Sequence, residues 1–238
     1  MLGFGIVSPW VLHARGDLRY SDGAMSQDRS KSAAVIVAHP DDETLWAGGA
    51  ILSHPLWNWY VVTLCRAGDP DRAPKFYRAL QDLGAKGNMA DLDDGPQQKP
   101  LAQDEVQAAI LKLLPSRHFD LILTHNPTGE YTRHLRHEET SRAVIALWQS
   151  GQLSTDELWT FAFNDGGKSY LPRAVEAASV HHILPEDIWR RKYRIITQTY
   201  GFPSDGFEAR TTPRSEAFWR FANPSDAQAW LERGGAPL

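Results

Sequence analysis

The sequence predicts an α/β fold, in which helices cover both faces of an open and mostly parallel β-sheet. Two observations lead to this prediction. Short runs of small and β-branched residues alternate with longer runs of helical period, and the apolar runs are continuous, as in strands buried on both faces. With 42% hydrophobic residues, the 238-residue chain is long enough for one large domain with a full core.

We divide the chain into a flexible lead-in over residues 1–32 and a single domain over residues 33–238. Residues 16–32, GDLRYSDGAMSQDRSKS, are polar and rich in turn-forming residues. The short apolar stretch before them lacks a positively charged beginning and is broken by glycine and proline. A signal peptide is therefore not favoured.

Alternating strands and helices make up the predicted domain. The predicted strands are residues 33–39, 57–65, 119–126 and 156–165. The predicted helices are residues 41–55, 73–85, 103–116, 136–150 and 185–200. The segment from Leu171 to Leu238 is richer in proline, arginine and aromatic residues, and we expect it to cap an edge of the sheet.

Charge and cysteine content exclude several classes of function. The formal net charge is −4 and the basic residues are spread along the chain, so neither nucleic acid nor an anionic membrane is the expected partner. No apolar run approaches the roughly 18 residues of a membrane span. The single cysteine, Cys65, allows no intrachain disulfide and no thiolate-rich metal site, which favours a cytoplasmic protein with a small-molecule ligand.

The first predicted strand leads directly into HPDDE, residues 39–43. In open α/β sheets, ligands bind beyond the carboxyl ends of the strands. His39 and Asp42 are three residues apart and could both bind one divalent metal, which leaves Asp41 free for another role. Equally, one of the acids could cap the following helix, with His39 in an ordinary turn. Alone, this motif does not decide between the two interpretations.

A second histidine pair, His134 and His137, favours the metal interpretation. It follows another predicted strand and lies one turn apart at a helix start, so both motifs point to the same edge of the sheet. His39, Asp42 and His137 would leave one position of a tetrahedral metal open, as in catalytic rather than structural zinc sites. This arrangement indicates hydrolysis.

The motifs AHPDDE (38–43), THNP (124–127), GEY (129–131) and HLRH (134–137) together resemble those of the LmbE-like, or PIG-L, zinc-dependent N-deacetylases. The resemblance extends from about Ala33 to Trp148. It implies a Rossmann-like fold, one zinc ion per chain, and hydrolysis of the acetamido group of an N-acetylglucosamine-type sugar to a free amine and acetate.

The resemblance also implies roles for individual residues. His39, Asp42 and His137 would be the zinc ligands, Asp41 the general base, and His134 the group that faces the developing oxyanion. Candidate substrate contacts are Arg72, Tyr131 and His125. For His125 a supporting role behind the site and an ordinary turn hydrogen bond remain alternatives.

Departures from the family pattern leave other functions open. Arg136 stands where a carboxylate could orient a histidine, and Lys75 stands where Arg72 would have an acidic partner. The segment between Tyr131 and His134 is one residue longer than expected. The alternatives are an amidase for a different N-acyl conjugate and a non-catalytic protein that binds a carbohydrate or nucleotide sugar. A homo-oligomer, and another divalent metal in place of zinc, also remain open.

Overall fold

A computed structural model describes residues 11–12 and 30–235 of the chain. The strands are β1 (Val11–Leu12), β2 (Ser32–Val37), β3 (Asn58–Thr63), β4 (Lys86–Met89), β5 (His118–Thr124), β6 (Ser154–Phe161), β7 (Phe163–Asn164), β8 (Arg173–Ala174), β9 (Val180–Ile183) and β10 (Ser215–Phe221). The helices are α1 (Asp42–Ser53), α2 (Arg72–Leu83), α3 (Gln103–Leu113), α4 (Leu135–Gln149), α5 (Glu186–Arg194), α6 (Phe207–Thr211) and α7 (Pro224–Glu232). Helix α5 continues into a π-helical turn over Ile195–Thr199.

Eight of the strands form one sheet in the order β1-β9-β10-β6-β5-β2-β3-β4, and β7 pairs separately with β8. The five strands from β6 to β4 in this order are parallel. Strands β10, β9 and β1 extend the sheet in antiparallel fashion. In register, Val37 of β2 pairs with Thr63 and Ile36 pairs with Thr124. The carboxyl ends of β2, β3 and β5 therefore meet at one edge.

Alternate residues of the central strand β2 enter the two cores of the molecule. Ala33, Val35 and Val37 pack on one face, against α1, α2 and the π-helical turn. Ala34 and Ile36 pack on the other face, against α3, α4 and α7. This explains why the apolar runs of the sequence are continuous, and it confirms the predicted α/β fold with helices on both faces.

The C-terminal segment does more than cap the sheet, since it contributes β9 and β10. These strands and β4 were absent from the sequence-based prediction because they are short or carry polar residues, as in VHHI and KGNM. The predicted strand 156–165 is interrupted at Ala162, after β6. Most of the predicted lead-in lies outside the described residues, although Val11–Leu12 within it pairs with β9. In the described part of the chain, no helix has the length and apolar character needed to cross a membrane.

A buried ion pair joins the C-terminal segment to helix α1. Glu216 of β10 accepts hydrogen bonds from the backbone N–H groups of Gly49 (2.7 Å) and Ala50 (2.8 Å) and from Lys192 Nζ (2.6 Å). Both side chains of the ion pair are fully buried. Gly49 is required here, because a Cβ would lie 2.3 Å from Leu184 and 2.9 Å from the Glu216 carboxyl group. The pair fixes α1, which carries Asp42, against α5 and β10.

We expect Lys192→Met to lower the free energy of unfolding by about 3–5 kcal/mol, because it leaves the Glu216 carboxylate buried without a cation. Urea denaturation would measure the change. Arg190→Met is the matched control, since Arg190 lies on the same helix and its side chain is 70% exposed. Equal stability of the two variants would show that the buried pair does not hold the segments together.

Candidate metal centre

Three side-chain atoms from the two histidine motifs form a nearly equilateral triangle. Asp42 Oδ2 lies 3.1 Å from His39 Nδ1 and 3.3 Å from His137 Nε2, and the two histidine nitrogens are 3.2 Å apart. A tetrahedral zinc with bonds of about 2.0–2.2 Å holds its ligand atoms about 3.4 Å apart. The donor set of two imidazoles and one carboxylate, with this spacing, fits a zinc ion.

The Asp42 carboxylate is held in place through both oxygens. Oδ2 accepts a hydrogen bond from the backbone N–H of His39 (2.9 Å), and Oδ1 accepts one from Trp46 Nε1 (3.0 Å), one helical turn later. Burial opposes ionisation of Asp42, but His137 and His125 more than offset it and hold the pKa well below its usual range. The carboxylate is thus present in the charged form that a metal requires.

Glu130, which follows β5, orients the histidines from behind. Its Oε2 lies 2.6 Å from His137 Nδ1 and 2.8 Å from His125 Nδ1, while Oε1 accepts from the backbone N–H of Asn126 (3.0 Å). Burial would raise the pKa of Glu130, but His125 and His137 lower it to about 2. Its carboxylate can therefore accept the Nδ1 proton of His137, which turns Nε2 toward Asp42 and His39.

His125 lies behind the site and does not line the cavity. It is fully buried, and its Nε2 accepts a hydrogen bond from the backbone N–H of Ala38 (3.0 Å). Its ring stacks on His137 with a centroid distance of 3.9 Å. Since both ring nitrogens already have partners, this position corresponds to the supporting role among the alternatives and not to a substrate contact.

His134 lies directly before α4, beside the triangle. Its ring centroid is 4.5 Å from that of His39 and 4.7 Å from that of His137. Its Nδ1 is buried and has no hydrogen-bond partner among the described residues. Burial, together with the neighbouring His137 and His39, lowers the pKa of His134 to about 3, so the ring is neutral. A neutral imidazole here could donate to a substrate or complete a second ligand set with His39 and His137.

Asp41 adopts an unusual backbone conformation that directs its carboxylate away from the helix it precedes. Its φ is 118°, and no side-chain hydrogen bond caps α1. The buried Glu43 supports this turn: Oε2 accepts from the Asp41 N–H (3.0 Å) and Oε1 from the Tyr200 hydroxyl (2.7 Å). Helix capping therefore does not explain the Asp41 side chain.

Arg72 is the partner of the Asp41 carboxylate, with NH1 3.2 Å from Oδ2. Burial and the neighbouring Asp42 raise the pKa of Asp41 well above its ordinary value, and Arg72 partly opposes this. Lys75, one turn along α2, pairs with Asp71 (2.7 Å) and does not compete for Asp41. Burial and the neighbouring Asp42 therefore give Asp41 a greater affinity for a proton than an exposed aspartate has.

A cavity of about 250 Å³ opens onto these groups. Of the residues predicted from the sequence, it is lined by His39, Asp41, Asp42, Arg72, Tyr131 and His134. Among the further lining residues, which were not predicted, are Arg66, Asp94, Phe207 and Glu208. Arg66 and Asp94 lie on the loops that follow β3 and β4, at the same edge of the sheet. Phe207 and Glu208 belong to α6.

Asp94 joins the site through the loop between β4 and α3. Its Oδ1 lies 3.3 Å from His39 Nε2, and its Oδ2 accepts from Arg66 NH2 (2.6 Å). The buried Arg136 fastens this loop to α4 by donating to the backbone carbonyls of Asp93 (2.5 Å) and Lys99 (2.7 Å) and by pairing with Glu139. Arg136 thus points away from the metal centre, and the carboxylates that face the histidines, besides that of Asp42, are those of Glu130 and Asp94.

Comparison with known proteins gives a family match over residues 34–148, to the PIG-L family, described as GlcNAc-PI de-N-acetylase. An uncharacterized protein, L374, of Acanthamoeba polyphaga mimivirus is 21% identical over 178 residues, which cover 68% of this chain and 75% of that protein.

Two solved structures show the same fold. An N,N'-diacetylchitobiose deacetylase from Pyrococcus horikoshii superposes with a TM-score of 0.60 at 16% identity, over 82% of this chain and 85% of that one. GalB, the 4-carboxy-2-hydroxymuconate hydratase from Pseudomonas putida, superposes with a TM-score of 0.57, also at 16% identity, over 80% and 95%. The residues of the family match include the metal triangle, Asp41 and Glu130. Residues 34–148 of the chain therefore resemble the PIG-L family.

Proposed function

We propose that this protein is a zinc-dependent N-deacetylase that removes the acetyl group from an N-acetylglucosamine-type sugar or conjugate. The observation that carries the proposal is the triangle of His39, Asp42 and His137, with the carboxylate of Asp41, which is paired with Arg72, lining the same cavity. The match to the PIG-L family supports the proposal, as does the shared fold with the P. horikoshii deacetylase.

A zinc ion held by His39, Asp42 and His137 would polarise the amide carbonyl and lower the pKa of a water molecule toward neutrality. Asp41 takes a proton from the attacking water and transfers it to the leaving nitrogen as the C–N bond breaks, so the products are acetate and a free amine. Arg72 holds the Asp41 carboxylate in position. The neutral His134 donates a hydrogen bond to the oxygen on which negative charge develops.

The fold alone does not fix the reaction, because a hydratase shares it. Two observations favour amide hydrolysis: the family match, and the presence of the proposed base Asp41 and the neutral His134 in the lining of the cavity. The appropriate assay therefore follows release of the amine.

The first prediction concerns metal content. Wild-type protein purified without chelator should contain about one zinc per chain, and His39→Ala and His137→Ala should lose it, because each removes one corner of the triangle. Elemental analysis measures this. His118→Ala is the control, since the exposed His118 belongs with Asp120 and Asp156 to a separate group of possible metal ligands at the amino end of β5. Loss of zinc from His118→Ala, or retention of zinc in both His39→Ala and His137→Ala, would contradict the proposed ligands.

The second prediction concerns the base. Asp41→Asn should retain zinc but lose about 10²–10⁴-fold in turnover, because an amide cannot accept the proton from water. Amine release, measured beside metal content, tests this. Asp71→Asn is the control, as the Asp71 side chain is 66% exposed and pairs only with Lys75 among the described residues. Turnover at the wild-type rate in Asp41→Asn would remove Asp41 from this role.

The third prediction concerns Glu130. Glu130→Gln should weaken zinc affinity about 10–100-fold, because the charged acceptor behind His137 is lost. Competition with a chromogenic chelator measures the affinity, with the exposed Glu105→Gln on α3 as the control. Unchanged affinity in a folded Glu130→Gln variant would limit Glu130 to a packing role.

A further inference from the structure

Helix α6 brings an exposed aromatic ring to the mouth of the metal cavity. Among the exposed large apolar side chains of the described residues, Phe207, at 41% exposure, is the one that lines this cavity. It lies outside residues 34–148, to which the family match is confined. An aromatic side chain that stays partly exposed at the mouth of a polar cavity can offer its free surface to a ligand.

The position of Phe207 is fixed by its neighbours. Its ring meets that of Tyr131 edge to face, with a centroid distance of 5.4 Å and an interplanar angle of 69°. Tyr131 in turn lies 5.3 Å from the ring of His137. The buried residues Ala209 and Thr211 anchor the rest of α6. One face of the mouth is therefore a rigid aromatic corner next to the proposed metal.

Among the described residues, Glu208 is the acid at this mouth that has no counterion. Arg72 pairs with Asp41, and Arg66 pairs with Asp94 (2.6 Å). Within the described residues, no hydrogen bond or ion pair engages the Glu208 carboxylate. A phosphate or carboxylate on a ligand would be repelled at this position, whereas hydroxyl groups could donate to both oxygens.

The size of the cavity limits what enters it. About 250 Å³ lies below the range of about 300–1,000 Å³ that is typical of pockets for drug-sized ligands. One sugar ring with its acetamido group fits this scale, and anything attached to the ring must extend outside.

We propose that Phe207 and Glu208 form a sugar-binding subsite that selects an uncharged pyranose. The C–H face of the sugar ring packs against Phe207, and the sugar hydroxyls donate hydrogen bonds to the Glu208 carboxylate. The part of this proposal that places the acetamido group at the metal rests on the proposed function. The subsite itself concerns the ring alone and can be tested without turnover.

The test combines kinetics with direct binding. Phe207→Ala should raise KM for N-acetylglucosamine about tenfold, which corresponds to the loss of one aromatic contact, with kcat nearly unchanged. The acyclic acetamide N-acetylethanolamine should not distinguish the variant from wild type, and Phe207→Trp should restore KM. Saturation-transfer NMR with methyl β-glucoside, which has no acetamido group, should lose its signal in Phe207→Ala and keep it in Tyr77→Ala, an exposed aromatic on α2.

Glu208→Gln tests the charge selection. The wild type should have a much higher KM for N-acetylglucosamine 6-phosphate than for the neutral sugar, and Glu208→Gln should reduce this difference. Equal discrimination in the variant would show that Glu208 does not exclude anions.

The results separate the two proposals. Deacetylation with the same KM and the same glucoside binding in Phe207→Ala would overturn the subsite and leave the function. An equal rise in KM for the cyclic and the acyclic substrate in Phe207→Ala would also overturn the subsite, since Phe207 would then act only through Tyr131. Phe207-dependent glucoside binding without amine release from any acetamide would support the subsite and overturn the deacetylase. The absence of both glucoside binding and amine release in the wild type would overturn both proposals.

Discussion

The parallel pairing of β2 with β5 is the constraint on which the site depends. Their register, from Ala33 with Leu121 to Ile36 with Thr124, places the residues after both strands side by side. The chain then turns into α1 on one side and into the Glu130 loop and α4 on the other. A slip by one residue would exchange the faces of β2 and move His39 relative to His137.

Acids outnumber cations around the metal triangle, and this imbalance explains why the site would hold a divalent metal. Asp42 is one of its corners and Asp41, Asp94 and Glu130 surround it, whereas the paired cations are Arg66 and Arg72. Burial would lower the pKa of His39, yet Asp42 and Asp94 raise it, and Asp42 and Glu130 do the same for His137. Without a metal, protons would supply the compensating positive charge. Metal and protons therefore compete for the same imidazole nitrogens, as expected of a site that binds metal with proton release.

The sequence predicted the parts of the site that depend on local rules. The end of a buried strand followed by HPDDE placed His39, Asp41 and Asp42, and the spacing of His134 and His137 placed both at the start of α4. The residues that support these groups, such as Glu130 and Asp94, could not be found in this way, because their positions depend on which loops come together in the fold. Arg136 was interpreted as a cation in place of a carboxylate, but its direction is set by the loop between β4 and α3, which has no periodic pattern and follows a strand too polar to predict.

His125 illustrates the same limit. Its place after β5 was correctly predicted, but whether it faces the ligand or the core depends on Ala38 and Glu130, which lie on different segments. A signal existed in the sequence, since a glutamate five residues beyond a strand-end histidine can return to it through a tight loop. Only the fold shows that one carboxylate serves both His125 and His137.

Two regions of the chain contribute different residues to the site. Residues within the family match supply the proposed metal ligands, the proposed base and the carboxylates behind them. The C-terminal region supplies Tyr200, whose hydroxyl holds Glu43 and through it the turn of Asp41, and it also supplies the α6 side of the cavity mouth. A deacetylase and a hydratase, each 16% identical to this chain, share its fold, so the fold tolerates wide change in sequence. Because the mouth is built from a short helix that bears no ligand, its residues can change without disturbing the metal triangle, and substrate choice can vary while the chemistry is kept.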